Sequence, residues 1–556
     1  MIGLIAVTAA GWAAAGRLAA AWTDETHVYA GPAGEAVPRA WRECDALVCF
    51  LALGATTRLV APLLADKTRD PAVVCVDEAT RHAVALLGGH AGGGNALTVR
   101  VAGALGARPV VTTATDACGL PGLDDLGRPV EGAVAAVTRA VLDGEPVRLE
   151  ADATWPLPAL PDNVGDTGRH RIVVTDRIVD LDDTTVVLRP PSLVAGVGAS
   201  RDVSADEIDD LLTAVLRDAG LAAGSLAALA TVDAKCDEPG IVATARRRDV
   251  PLRTFPAAAL AGVDVPNPSE AARAAVGTPS VAEAAALRVG SELLVAKRKS
   301  AMATVAIARV RPRGRLALVG LGPGARDLLP PRAVAELRGA AVVVGLDSYL
   351  DQIRDLLRPG TRVLASGLGQ EETRAGEAVR QASAGHAVAL VGSGDAGVYA
   401  MAAPALEMAG DDIDVVAVPG ITASLAAAAL LGAPLGHDHV TISLSDLHTP
   451  WPAIERRVRA AAGADLVVAF YNPRSRRRRD QLPRALDILA AHRPPHTPVG
   501  VVRAAERGDQ HVTLTTLADV DVEAVDMSCV VVVGNTSTHV RAGRMVTPRG
   551  YRWLRP

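Results

Sequence analysis

Two loops rich in glycine and small polar residues are the positions in this chain best suited to bind a ligand. One follows the apolar run 387–391 and reads GSGDAG from Gly392, and the other follows 415–418 and turns at Pro419–Gly420 into a predicted helix. Open α/β sheets bind ligands at the carboxyl ends of their strands, and glycine lets backbone amides come close to a ligand. The pair therefore predicts two walls of a cofactor site. The chain has no G-x-x-x-x-G-K-[ST] phosphate-binding loop.

Titratable residues follow other predicted strands in the first half of the chain. His90 lies among glycines, Asp116 follows the run 109–113, and Lys235 and Glu238 follow a later apolar run. His90 fits either a turn histidine bonded to its own loop or a residue of a ligand-binding loop. The glycines around it favour the ligand-binding loop, because so many glycines cost entropy on folding unless the backbone has to be exposed. For Lys235 and Glu238 the alternative is a solvated charged turn.

Short apolar runs alternate with helical spacing along most of the chain, which predicts the α/β class. Residues 1–120 favour a parallel sheet with helices on both faces. Ser204 with Glu207, and Ser280 with Glu283, fit capping boxes that begin two helices.

A later stretch, 291–310, predicts two paired strands around the basic turn Lys297-Arg298-Lys299. The turn fits either contact with substrate carboxylates or exposure to solvent.

The chain divides where this pattern weakens. The predicted divisions are an N-terminal αβ domain (1–120), a small intervening domain or structured linker (121–192), a second αβ domain (193–310) and a final αβ body (315–556) with lobes of about 315–430 and 431–556. The first lobe of the final body is predicted to be parallel and the second mixed.

Composition argues against several classes of protein. A net charge of −5 and 3% aromatic residues disfavour a nucleic-acid partner. The six cysteines are scattered without a C-x-x-C motif, which disfavours disulfides and metal ligation and favours the cytoplasm. No apolar run is long enough to predict a membrane span, and the apolar first residues fit a strand and helix better than a signal peptide.

Six motifs in the last part of the chain resemble the tetrapyrrole methyltransferase family. They are GLGPG (320–324), SGDAGVYAM (393–401), VPGITASLAAAALLGAPLGHD (418–438), ISLSDLHTPW (442–451), YNPRSRRRR (471–479) and MVTPRGY (545–551). The SLSD, TPW and YNPRS blocks are similar to those of members that methylate carbon 17 of precorrin-3B in cobalamin synthesis. The resemblance implies a two-lobed αβ body with S-adenosylmethionine between its lobes, a precorrin substrate and, commonly, a homodimer.

The resemblance also implies roles for single residues. Those implied to line the cofactor are Pro323, Ser393, Gly394, Asp395, Thr422, Ala423, Tyr471 and Asn472. Asp395 fits either an organiser of the backbone or a partner for the cationic cofactor. The implied reaction methylates carbon 17 while the macrocycle contracts and extrudes carbon 20 as an acetyl group. Because the macrocycle carbon attacks the methyl group, the protein needs no nucleophile and acts mainly by positioning.

An acid or base would help the ring contraction. Four residues near predicted strand exits are candidates, and the sequence does not choose among them: Asp347, Asp446, His448 and Tyr471. Arg474 and Arg476–Arg479 fit either a solvated helix start or a clamp for substrate carboxylates. Metal-free and cobalt-containing precorrins both fit.

Five motifs in the first half resemble the cobalt-precorrin-5A hydrolase family, which opens a lactone and releases acetaldehyde. They are VAPLLADKTRDPAV (60–73), LLGGHAGGGN (86–95), TTATD (112–116), GVGASRDVSADEI (196–208) and ATVDAKCDEPGI (230–241). This resemblance implies a hydrolase-like half over about 45–310, with His90, Lys235 and Glu238 as catalytic candidates. The alternative is a tetrapyrrole-binding module without catalysis. A third hypothesis treats both halves as generic nucleotide-binding αβ domains.

Overall fold

The chain folds into two compact units in a computed structural model that describes residues 1–66, 69–90, 92–126 and 128–550. The N-terminal unit comprises Met1–Ala153, Leu160–Pro312 and Arg358–Gly360, and the C-terminal unit comprises Thr154–Ala159, Arg313–Leu357 and Thr361–Pro556. Lys67, Thr68, Ala91 and Tyr551, which belong to the motifs above, lie outside the described residues. In the described part of the chain no helix is long and apolar enough to cross a membrane. The finer division into domains stays a prediction.

The first sheet of the N-terminal unit has six strands in the order β2-β1-β3-β4-β5-β6. The strands are β1 (Ile2–Ala6), β2 (Thr26–Tyr29), β3 (Ala46–Phe50), β4 (Ala72–Val76), β5 (His82–Leu87) and β6 (Arg108–Val110). The helices are α1 (Ala9–Ala21), α2 (Ala33–Glu43), α3 (Leu53–Val60), α4 (Gly94–Leu105) and α5 (Ala114–Ala117). Leu4 packs in the cluster with α1 and α4, and Ile5 in the cluster with α2. The predicted helices on both faces are therefore confirmed.

The prediction of a wholly parallel first sheet is wrong at β5. This strand runs antiparallel to β4 and parallel to β6. Only residues 77–81 connect β4 to β5, and so short a connection makes a hairpin because a parallel crossover needs a dozen residues or more. The Asp77 carboxylate accepts a hydrogen bond from the His82 amide at 2.5 Å across this turn.

Residues 121–192, where the sequence pattern weakens, contain a second sheet of five strands in the order β7-β11-β10-β8-β9. The elements are β7 (Val130–Gly132), α6 (Val134–Leu142), β8 (Val147–Ala151), β9 (Val164–Gly165), β10 (His170–Val174) and β11 (Thr185–Leu188). Arg171 and Glu150 lie within these strands, and their charges hide the apolar pattern.

The third sheet has the order β14-β13-β12-β16-β15. Its strands are β12 (Leu193–Ala199), β13 (Leu226–Val232), β14 (Leu252–Phe255), β15 (Glu292–Lys299) and β16 (Ala303–Arg309). Its helices are α7 (Ala205–Asp218), α8 (Pro239–Arg247), α9 (Ala257–Ala261), α10 (Glu270–Val276) and α11 (Val281–Val289). The predicted hairpin of β15 and β16 is confirmed. Lys297, Arg298 and Lys299 do not form its turn, because they are the last residues of β15.

The two predicted capping boxes form only in part. Ser204 and Ser280 cap their helices by accepting hydrogen bonds from the amides of Glu207 and Glu283, at 3.1 and 3.4 Å. The two carboxylates bond elsewhere. Glu207 accepts hydrogen bonds from the Ser300 hydroxyl and the Met302 amide, each at 2.6 Å. Glu283 is fully buried and accepts bonds from the Asn267 side chain at 2.8 Å and the Lys297 amide at 3.0 Å.

The first lobe of the C-terminal unit is a parallel sheet in the order β19-β18-β20-β17-β21, as predicted. Its strands are β17 (Gly314–Gly320), β18 (Val342–Leu346), β19 (Arg362–Ser366), β20 (Ala387–Gly392) and β21 (Ile413–Val418). Its helices are α12 (Pro331–Gly339), α13 (Asp347–Leu350), α14 (Glu371–Ser383) and α15 (Ala402–Met408). Leu318 and Val319 lie in two different clusters, so apolar cores cover both faces.

The second lobe has the predicted mixed sheet, in the order β23-β24-β27-β25-β26. Its strands are β23 (His439–Ser443), β24 (Val467–Tyr471), β25 (Pro498–Arg503), β26 (His511–Thr516) and β27 (Cys529–Val533). A small sheet joins β22 (Gly432–Ala433), β28 (His539–Arg541) and β29 (Arg544–Val546). The helices are α16 (Ala423–Leu431), α17 (Trp451–Gly463) and α18 (Gln481–Ala490). Although α16 follows the first sheet directly, its residues Ala427 and Leu431 pack in the core of the second.

We predict that Glu283→Ala destabilises the N-terminal unit. The change leaves the Lys297 amide and the Asn267 side chain without their shared acceptor, and unmet buried donors cost about 1–3 kcal/mol. We expect calorimetry to show a transition temperature lower by roughly 3–10 °C. The matched control is Glu270→Ala, because the Glu270 side chain is 88% exposed. Equal transition temperatures for the two variants would contradict this role for Glu283.

Candidate functional site

Three loops of the first lobe begin side by side at the carboxyl edge of its sheet. In the strand register Gly320 of β17 pairs with Gly392 of β20, and Val319 pairs with Val418 of β21. The loops that follow these strands, 321–324, 393–398 and 419–422, therefore leave the sheet at one level. We call these three loops the cradle.

Glycine backbones hold the cradle together. The amides and carbonyls of Gly322 and Gly394 bond to each other in both directions, at 3.0 and 2.7 Å. Both residues have positive φ angles, 74° and 69°, which glycine adopts without strain. A β-carbon added to Gly420 would lie 2.1 Å from the Gly394 carbonyl oxygen. These positions need glycine because backbone packs directly on backbone.

The carboxylate of Asp395 ties two cradle loops together. One oxygen accepts a hydrogen bond from the Gly397 amide at 2.8 Å, and the other accepts one from the Gly420 amide at 3.0 Å. Both oxygens are thus engaged by backbone of the cradle. Of the two roles that fit this residue, the geometry favours the organiser of the backbone over the partner of a cationic cofactor.

Tyr471, the last residue of β24, joins the second lobe to the cradle. Its hydroxyl lies 2.6 Å from the Thr422 hydroxyl and accepts a hydrogen bond from the Ser424 amide at 2.8 Å. Thr422 stands at the N-cap of α16 but makes no capping bond with its own side chain. The phenol of the other lobe supplies that bond instead. Ala423, the first residue of α16, lies beside this contact.

Asn472 adopts a positive φ of 49° and is held at two points. Its side-chain amide donates to the Ser443 hydroxyl at 3.0 Å, and its carbonyl accepts a bond from Arg478 at 2.8 Å. Arg478 is 9% exposed, and burial lowers the pKa of its guanidinium. Arg474 pairs with Glu523. Both of these arginines therefore support loops, whereas Arg476, Arg477 and Arg479 are exposed.

The remaining candidates for an acid or base share no hydrogen-bond partner with Tyr471 among the described residues. Asp446 accepts a bond from the Gln481 side chain at 2.7 Å. His448 is exposed in the loop after β23, and Asp347 begins α13 after β18. Among the described residues no hydrogen bond joins any of these three to Tyr471 or to one another. The assignment of an acid or base stays open.

Arg507 is a site residue that the sequence did not indicate. Its guanidinium donates to the Pro323 carbonyl at 2.8 Å and to the Ser393 hydroxyl at 2.9 Å. Pro323 and Ser393 lie in two cradle loops, so the second lobe contacts the cradle here as well. Beside it opens a pocket of about 440 Å³, lined by Gly324, Gln352, Glu506, Arg507, Gly508 and Gln510.

In the N-terminal unit, His90 and Asp116 lie close together although they are far apart in the chain. Thr115, which precedes Asp116, is 25 positions from His90. His90 Nε2 lies 2.6 Å from the Thr115 hydroxyl and 3.5 Å from an Asp116 carboxylate oxygen. Asn95 donates to that same carboxylate at 2.9 Å. The glycines around His90 were predicted to expose backbone to a ligand, but Gly94 also packs closely against the chain itself. A β-carbon on Gly94 would lie 2.6 Å from the Leu87 carbonyl oxygen.

Lys235 and Glu238 form an ion pair of 2.7 Å in another part of the N-terminal unit. The second Glu238 oxygen accepts a hydrogen bond from the Asp202 amide at 2.8 Å. The bond from Lys235 is the main reason that the pKa of Glu238 lies below its usual range, while burial opposes the shift. The Glu238 side chain is 7% exposed, so the pair is not the solvated turn that the sequence left open. The described residues contain no group of three or more side chains arranged to hold a metal ion.

Comparison with known proteins adds to this geometry. A sequence model of the tetrapyrrole (corrin/porphyrin) methylases matches residues 315–521. The chain is 48% identical over 239 residues to a probable cobalt-factor III C(17)-methyltransferase of Salmonella typhimurium, covering 99% of that protein and 42% of this chain. The chain belongs to the tetrapyrrole methylase family. It is also 39% identical to a precorrin-3B C(17)-methyltransferase of a Sinorhizobium species, over 97% of that protein and 43% of this chain.

The first half matches two further sequence models, cobalamin synthesis G N-terminal over residues 35–116 and cobalamin synthesis G C-terminus over residues 193–308.

A further relative is the cobalt-factor III methyltransferase of Priestia megaterium, which is 43% identical over 249 residues, and the match spans 46% of its length. Among solved structures, the methyltransferase CobJ is 39% identical over 42% of this chain and 100% of that chain, with a TM-score of 0.41. The family resemblances of both halves are confirmed.

We predict that Asp395→Asn loosens the cradle. The amide group that replaces one oxygen cannot accept a bond, so it faces either the Gly397 or the Gly420 amide as a second donor. Loss of a hydrogen bond to a charged acceptor costs about 1.5–3 kcal/mol, so hydrogen exchange in a peptide covering 415–424 is expected to accelerate about tenfold or more. Asp411→Asn, at an exposed position before β21, serves as the control. Unchanged exchange in Asp395→Asn would contradict the organising role.

Proposed function

We propose that the C-terminal unit transfers a methyl group from S-adenosylmethionine to carbon 17 of precorrin-3B or its cobalt counterpart, with contraction of the macrocycle. The observation that carries this proposal is the match to two C(17)-methyltransferases at 48% and 39% identity over 99% and 97% of their lengths. The cradle supports it, because it offers backbone groups and small hydroxyls at the carboxyl edge of a parallel sheet.

The residues proposed to hold the cofactor belong to both lobes. Pro323, Ser393 and Gly394 come from the first lobe and Tyr471 and Asn472 from the second, while Thr422 and Ala423 begin the helix between them. Bound there, S-adenosylmethionine supplies an electrophilic methyl group. The chain's own contribution is to fix the orientation of the reactants and exclude water, and good orientation lowers a barrier by about 7–11 kcal/mol.

The state of the substrate's metal is the finer question within this proposal. The Salmonella relative is named for cobalt-factor III and the Sinorhizobium relative for precorrin-3B. We treat any cobalt as part of the substrate, since the Salmonella relative is named for a cobalt-containing one.

The experiment that tests the proposal incubates the purified chain with S-adenosylmethionine and either metal-free precorrin-3B or its cobalt counterpart. We expect the mass of one of the two to rise by one methyl group, together with the absorbance change of ring contraction. Methylation without contraction would move the reaction to another ring carbon. Failure to bind S-adenosylmethionine would overturn the proposal and favour generic nucleotide-binding domains.

We predict that Tyr471→Phe weakens S-adenosylmethionine binding about tenfold. The variant removes the hydroxyl that caps α16 and bonds Thr422, and a net hydrogen bond contributes about 0.5–1.5 kcal/mol, where 1.4 kcal/mol is tenfold. Isothermal titration calorimetry gives the affinity. Tyr349→Phe, in α13, is the control. An affinity within twofold of the unaltered chain would remove Tyr471 from the cofactor site.

We also infer a second function for the N-terminal unit, the opening of the lactone of cobalt-precorrin-5A. The matches to both cobalamin synthesis G sequence models favour it, as does the joining of His90 to Asp116. The competing hypothesis, a tetrapyrrole-binding module, expects binding of this lactone without its turnover. The homodimer and the cytoplasmic location stay predictions.

A further inference from the structure

Four polar side chains meet at one edge of the first sheet in the N-terminal unit. The strands β5 and β6 are parallel neighbours, so the loops that follow them leave the same edge. His90 comes from the loop after β5 and Asn95 from the first turn of α4, while Thr115 and Asp116 lie in α5 after β6. The His90 side chain is 15% exposed and the Asp116 side chain 46% exposed, so solvent and a ligand reach the group from outside.

Asp116 is held in place by neighbours other than the histidine. Its carboxylate accepts hydrogen bonds from the Asn95 side chain at 2.9 Å and from the Thr113 hydroxyl. Asn95 also donates to Thr113 at 2.9 Å, and its own oxygen is buried with no partner among the described residues. The position of the Asp116 carboxylate is therefore fixed by residues other than His90.

The two nitrogens of His90 have different surroundings. Nε2 faces the Asp116 carboxylate and the Thr115 hydroxyl. The Asp116 carboxylate, 3.5 Å away, favours by its negative charge the tautomer with the proton on Nε2, and the Thr115 hydroxyl can accept a hydrogen bond from that proton. The lone pair then lies on Nδ1. That atom makes no hydrogen bond with the residues that the structure describes, and it lies 3.2 Å from the position that a β-carbon on Gly122 would occupy.

The other candidate base of this unit is already engaged. Glu238 uses one oxygen to bind Lys235 and the other to bind the Asp202 amide. A carboxylate that is buried and paired in this way is a poor acceptor for a further proton. Among the described residues, His90 is the candidate whose basic atom has no hydrogen-bond partner.

We propose that His90 is the general base for lactone opening in the N-terminal unit and that Asp116 is its positioning residue. This assignment rests on the second function inferred above. A water oxygen bonds to the lactone carbonyl carbon while one of its protons moves to His90 Nδ1. The bond between the acyl carbon and the ring oxygen then breaks, and that oxygen takes the proton from Nδ1. One lactone and one water give one carboxylic acid and one hydroxyl group, and His90 returns to its first state.

The opposing hypothesis makes His90 a purely structural tie between the two loops. His90→Gln separates the two, because the glutamine amide can donate from near the position of Nε2 but offers no basic nitrogen at Nδ1. Gly122→Ala tests the other side of the ring. Its φ of −64° suits alanine, but the added β-carbon would lie 2.8 Å from an Asp124 carboxylate oxygen and 3.1 Å from His90 Cγ. Asp124 must therefore move aside, and the Nδ1 side of the ring becomes crowded.

The experiment follows loss of the lactone from cobalt-precorrin-5A by mass spectrometry, with the full chain and its variants. We expect His90→Gln to lower kcat at least about 100-fold, as loss of a general base does, with KM and the thermal transition unchanged. Asp116→Asn is expected to lower kcat at least tenfold at constant KM, and Gly122→Ala to lower it as well. The matched control His82→Gln, at an exposed position of β5, keeps full activity.

The outcomes separate the two inferences. If the unaltered chain opens the lactone and His90→Gln is within threefold of it, the base assignment is wrong and the hydrolase function stands. If the unaltered chain binds the lactone without opening it, the hydrolase function and the base assignment both fail, and the binding module is supported. Methyl transfer by the same preparations shows that each chain is otherwise active.

Discussion

The proposed cofactor site depends on the direct contact of backbone with backbone at three glycines, Gly322, Gly394 and Gly420. A β-carbon on Gly420 would lie 2.1 Å from the Gly394 carbonyl oxygen and would force two cradle loops apart. A β-carbon on Gly322 would lie 2.9 Å from the Leu328 carbonyl oxygen, and Gly394 has a positive φ. Asp395 then adds the polar bond between two of the loops. Asp395 is the one ionisable residue in the sequence of these three loops, and both of its oxygens are engaged by backbone amides, which agrees with the proposed reaction driven by positioning.

The second lobe completes the cradle from outside the first sheet. Tyr471 caps the helix that leaves one loop, and Arg507 bonds the carbonyl of Pro323 and the hydroxyl of Ser393. The helix α16 starts in the cradle and packs in the core of the second sheet. A movement of one lobe is therefore coupled to the loops of the other through a few identifiable contacts.

The sequence predicted the parts of the fold that depend on local pattern. Buried parallel strands such as β20 are near-continuous apolar runs, and they were found. The edge strand β2 and the hairpin strand β5 were missed, since β2 exposes two of its four residues and β5 follows a short turn.

The contacts of the site itself depend on residues far apart in the chain. Arg507 meets Pro323 across 184 positions and Tyr471 meets Thr422 across 49, and no local spacing encodes either contact. Glycines were predicted to expose backbone to a ligand, whereas their first role is to let loops touch. The family motifs pointed to these loops because the motifs are those loops, and that the loops hold the cofactor stays a prediction.

A crystal structure of the chain with S-adenosylhomocysteine tests the central claim most directly. We predict that the ligand lies against the three cradle loops and contacts Tyr471 and Asn472 of the second lobe, with the Gly322–Gly394 and Asp395–Gly420 bonds retained. A ligand bound elsewhere, or a cradle whose backbone bonds are broken to admit it, would contradict the account.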